Sequence, residues 1–122
     1  MKSLGITKVF GVIGIILWSG TVILRGTTFS DMSTYNFILG ITPNIGAAWF
    51  VLYLYTLFKL NCTIKDIFIV SVVIWIISLC SEIIHDMFFN SIFDLNDIIA
   101  TSIALIISYV VIYFNEKHMS IE

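Results

Sequence analysis

The chain has 122 residues, 59% of them hydrophobic and only 11% charged, with a mean hydropathy of +1.04. A soluble domain carries about 25% charged residues, so this composition excludes a soluble fold and points to an integral membrane protein with one domain. Six scattered Lys and Arg residues and a net charge of −2 exclude a nucleic-acid binder, and a single proline in an apolar chain excludes disorder.

Four apolar segments follow one another, and they predict an all-α, four-transmembrane-helix bundle with helices over 9–24, 44–60, 65–86 and 95–114. None shows the polar/apolar alternation of a strand, and an open sheet edge in lipid would leave backbone groups unsatisfied. The first segment lies between Lys8 and Arg25. It lacks a small-x-small cleavage site, so it reads as a retained helix rather than a signal peptide. Gly11 and Gly14 offer it a close helix contact.

Residues 25–44 read as the one long loop, ending in Thr42 as N-cap and Pro43 as the first residue of the second helix. The apolar patch Phe37-Ile38-Leu39 within it fits either an interfacial half-turn or a re-entrant segment. Thr63 and Asp66 have capping-box spacing at the start of the third helix, and Asp94 and Asp97 repeat it at the fourth. Between them, Met87, Phe88, Phe89, Ile92 and Phe93 suit a connection in the headgroup region. Cys62 and Cys80 are too far apart along one helix for a disulfide and read as free thiols.

With the N-terminus in the cytoplasm, Lys2, Lys8, Lys59, Lys65 and Lys117 lie inside and only Arg25 outside. The positive-inside rule therefore predicts a multi-pass protein of the cell membrane with both termini cytoplasmic. Asp31, Glu82, Asp86, Asp94 and Asp97 then share the outer side.

The third helix places Ser71, Ser78, Glu82 and His85 on one face. The fourth answers with Asp97, Thr101, Ala104 and Ser108, and Ala100, Ala104 and Ser108 form a small-residue stripe that permits close contact. Glu82, His85 and Asp97 are the candidate catalytic residues, as an acid/base set, and the same three would be the ligands of a divalent metal. No cofactor motif is evident. Asp86, Asp94 and Thr101 are the candidate substrate contacts. The structural alternative is that Asp94 caps a helix, Asp97 meets a helix dipole and Asp86 is solvated. Glu82 fits that alternative least, because an acid facing lipid costs about 2–3 kcal/mol. Three neighbouring carboxylates also repel unless protons, charged His85 or a cation intervene.

Glu82-x-x-His85 followed by Phe93-Asp94-Leu95-Asn96-Asp97-Ile98-Ile99-Ala100 resembles the VanZ-like family of small bacterial membrane proteins. The match spans 82–104. His85 stands where Gln is commoner, Thr101 where Asn is usual and Ala104 where Gly is usual. The resemblance implies a polytopic envelope protein acting at the outer face on membrane lipid, or on lipid-linked or cell-wall precursors. It also carries the family's link to glycopeptide antibiotic resistance. A metal-dependent membrane enzyme and a small homo-oligomeric transporter or channel are the alternatives.

Overall fold

The computed structural model describes residues 4–25, 33–90 and 92–122, so Lys2 and Asp31 lie outside the described residues. Four helices follow one another: α1 Leu4–Leu24, α2 Ser33–Phe58, α3 Ile64–Phe89 and α4 Leu95–Ile121. Each is long and apolar enough to cross a membrane. The protein is an all-α, polytopic four-helix bundle.

The pairings fix the directions. Thr56 at the end of α2 donates to Thr7 at the start of α1 (3.2 Å), and Tyr35 near the start of α2 donates to the Leu24 carbonyl that ends α1 (2.9 Å). These two helices are antiparallel. Helices α3 and α4 are antiparallel as well, since Phe68 meets Tyr109 and Ser78 meets Thr101. Helix α4 also packs on α2, where the Trp49 indole N–H donates to the Ala104 carbonyl (2.9 Å). The four helices form a rhombus with α2 and α4 across its short diagonal, and α1 does not touch α3. The core lies along that diagonal, around Leu52, Ile67, Leu105 and Ile112.

The second helix starts eleven residues before the sequence reading placed it. Thr42 is not its N-cap, Pro43 is not its first residue, and the 37–39 patch is neither a half-turn nor a re-entrant segment: all lie inside a continuous helix. A proline in a helix interior removes the hydrogen bond to the carbonyl four residues earlier, here that of Leu39. The Leu39 carbonyl instead accepts a hydrogen bond from the Arg25 guanidinium, 3.2 Å away, where α1 ends. That partner satisfies the group the proline orphans, so the helix can continue.

Other ends run as capping chemistry dictates. Thr63 and Asp66 form the full capping box of α3, and Lys59 closes on Asp66 at 2.6 Å. That carboxylate holds the Lys59 ammonium above the ordinary lysine range. Helix α3 runs three residues beyond its expected end to a left-handed Asn90 cap. Helix α4 runs seven residues past 114, because Asn115, Glu116 and Lys117 are tolerated in a helix that has left the apolar zone.

Candidate functional site

A cleft of about 280 Å³ opens between α2, α3 and α4. Its deep end is apolar: Ala47, Ala48 and Val51 from α2 face Ile74 and Ile77 from α3. The end nearer the α3–α4 connection is polar: Asn44, Ser78, Ser81, Glu82 and Thr101. The helical periods produce this division. Residues 44, 47, 48 and 51 recur at three and four along α2, as 74, 77, 78 and 81 do along α3, so each set forms one face.

Glu82 is half-buried and turned toward the start of α4, where its Oε2 accepts from the Asp94 backbone N–H (3.3 Å). The Asp94 side chain accepts from the Asn96 N–H (2.9 Å) as the N-cap of α4. In a capping box the N-cap N–H would go to the third helical residue, Asp97. Here Glu82 takes that bond from another helix, and the Asp97 side chain has Asn44 and Glu82, two residues of the cleft lining, as its polar neighbours. Thr101 is 2% exposed; its hydroxyl donates to the Asp97 carbonyl (2.9 Å) and lies 3.5 Å from the Ser78 hydroxyl. Ser78 and Thr101 therefore join α3 to α4 directly beneath the carboxylates.

The structure thus gathers Glu82, Asp94, Asp97 and Thr101. It leaves His85 and Asp86 exposed and outside the cleft lining. The His85 ring instead stands edge-on to Phe89, 5.6 Å between centroids. Among the described residues no three His, Cys, Asp or Glu side chains come together as a metal-ligand group, so Glu82, His85 and Asp97 do not converge as one ligand set. The small stripe of α4 also differs from its expected use. Ala104 receives Trp49 from α2, while Thr101 and Ser102 meet α3 through Ser78 and the Trp75 indole N–H (2.8 Å).

Asn44 is the site residue that sequence reasoning missed. In the sequence it stands at the boundary between the long loop (25–44) and the second helix (44–60), next to Pro43, and no role follows from that place. The 44, 47, 48, 51 spacing was the signal that the helical face already included it.

No protein-family model, no curated protein and no solved structure matches this chain. The class that fold and cleft define is therefore a four-helix membrane protein with a side-opening, polar-capped cleft, and the likeness to VanZ-like proteins rests on its motif residues alone.

Proposed function

We propose that the protein binds an amphiphile of the membrane in this cleft, with its chain on the apolar floor and its head at the Asn44, Glu82 and Asp97 end. The observation that supports this reading is the division of one cleft into an apolar half and a polar half. Ligand sites are largely apolar with a few placed polar groups, and a cleft of this size takes a head and the first part of a chain while the remainder stays in the bilayer. Carboxylates at the mouth favour a head that is cationic or rich in hydrogen-bond donors. A phosphate or pyrophosphate head has to bring its own neutralising partner.

In this reading both termini are cytoplasmic and the cleft serves the outer leaflet. The bundle's ends support it: Lys8, Lys59, Lys65 and Lys117 lie at one end, and Arg25 lies with Glu82, Asp86, Asp94 and Asp97 at the other. A VanZ-like role in the envelope, on lipid or lipid-linked precursors, is consistent with such a site. A through-going transport path is less so, because the lining turns apolar below Ser78 and Thr101.

The test is the lipid that stays with the protein through purification in mild detergent, identified by mass spectrometry. One amphiphile class should be retained, and Asn44→Leu should lower its occupancy about tenfold, the equivalent of ~1.4 kcal/mol. Equal retention by the parent and Asn44→Leu would overturn the reading.

A further inference from the structure

The tip between α3 and α4 carries Met87, Phe88, Phe89 and Ile92, each at least 69% exposed. Four large apolar side chains in bulk water are costly, and contiguous patches of this kind mark a contact surface. The tip is also held in place. The Asn90 N–H returns to the His85 carbonyl, His85 packs edge-on against Phe89, and Glu82 holds the Asp94 N–H. Its apolar surface continues the lipid-facing side of α3 through Ile83 and Ile84, both exposed.

The length of α3 fixes where that surface sits. Helix α3 has 26 residues, about 39 Å at a rise of ~1.5 Å per residue, against a hydrocarbon core of ~30 Å. Its inner end is pinned by Lys59, Lys65 and the Thr63–Asp66 box, which belong in the headgroup zone. Counting about 20 residues from Lys65 brings the outer hydrocarbon boundary to His85 and Asp86. The tip then falls in the outer interface, where aromatic side chains are favoured. Glu82 falls about one turn, roughly 5 Å, below the boundary.

We infer that Met87, Phe88, Phe89 and Ile92 form an interfacial anchor in the outer leaflet, and that this anchor holds the Glu82 end of the cleft beneath the headgroup plane. The occupant of this surface is the headgroup–acyl boundary of the bilayer itself. A ligand then reaches the carboxylates sideways from the leaflet rather than from water. That last consequence rests on the amphiphile reading; the depth of the tip does not.

The experiment measures depth in vesicles of phosphatidylcholine, with no ligand added. In a Cys62→Ser, Cys80→Ala background, Phe88→Cys and Ile92→Cys are spin-labelled one at a time, with Ser120→Cys as the water reference. Collision with oxygen and with a water-soluble nickel chelate is then compared by electron paramagnetic resonance. Labels at 88 and 92 should collide with nickel at least fivefold less than the label at 120, and with oxygen more. Nickel accessibility equal to that at 120 would overturn the anchor. Spin–spin broadening between copies at high dilution in lipid would also overturn it, by showing that a second copy covers the tip. Retention of an amphiphile in detergent is read separately, so a failed anchor and a failed cleft give different results.

Discussion

The two helical hairpins are joined by different means. Between α1 and α2 the backbones touch: a Cβ added at Gly14 would lie 2.6 Å from the Gly46 carbonyl oxygen, and one added at Gly46 would lie 2.6 Å from that of Gly14. One added at Gly11 would enter the Tyr53 ring. Between α3 and α4 the contacts are made by side chains, Trp75 to Ser102 and Ser78 to Thr101, and α3 packs only sparsely on α2. Small residues in lipid permit close packing, whereas larger polar contacts hold helices apart and leave grooves. The tight seam is scaffold, and the cleft opens where the looser hairpin brings α3 against α2.

Substitutions in the tight seam should have the largest effect. Gly14→Leu forces a side chain into a backbone carbonyl that cannot rotate away. Overpacking of a core costs about 1–3 kcal/mol, and here the upper end or beyond is expected. Thermal unfolding in detergent should show a collapsed midpoint for Gly14→Leu, while Gly20→Leu, which has open space at its Cβ position, stays near the parent. Equal tolerance of both would deny the seam.

Next in size is the proline break in α2. Arg25→Leu leaves the Leu39 carbonyl without its partner, at about 1–3 kcal/mol. Pro43→Ala restores a backbone donor to that carbonyl. The cost of Arg25→Leu should therefore shrink toward zero in a Pro43→Ala background. A double-mutant cycle checks this, and additive effects would mean that Arg25 acts elsewhere.

The loose seam should be more forgiving. Asp94→Ala should cost ~1 kcal/mol through the lost cap. Glu82→Gln keeps an acceptor for the Asp94 N–H, so it should unfold close to the parent while losing retained amphiphile. If Glu82→Gln instead unfolds like a core deletion, the carboxylate is structural. The smallest effect concerns Cys62, buried in the α2–α3 connection, whose thiol is pushed up from its ordinary range chiefly by burial. Less of it is thiolate at a given pH, so its alkylation should be slow, and it should accelerate at a higher pH than a free thiol's does.

The contrast between seams also explains what was legible in the sequence. Gly14 announced a close contact, and the Thr63–Asp66 box and the Asp94 cap are local signals that need no tertiary partner. The start of α2 was not legible, because Pro43 obeys the local rule for a first helical position and is overruled by Arg25, 18 residues earlier. Asn44, placed at the boundary of loop and helix by that reading, drew no attention as part of a helical face. The trans bond from Glu82 to the Asp94 N–H was hidden as well, since Asp94 and Asp97 already had the spacing of a self-contained box. His85 was read from its spacing to Glu82, but three residues further along α3 carry it out to the exposed tip.

The most direct test of the cleft is photocrosslinking with a lipid that carries a diazirine in its acyl chain, in vesicles, with the crosslinked peptides mapped. Crosslinks should concentrate on Ala48, Val51, Ile74 and Ile77, and Ala47→Phe, which fills the cleft floor, should remove most of them while leaving labels on the outward Ile103 and Ile106. A label spread evenly over the lipid-facing surface and indifferent to Ala47→Phe would contradict an amphiphile site between α2, α3 and α4.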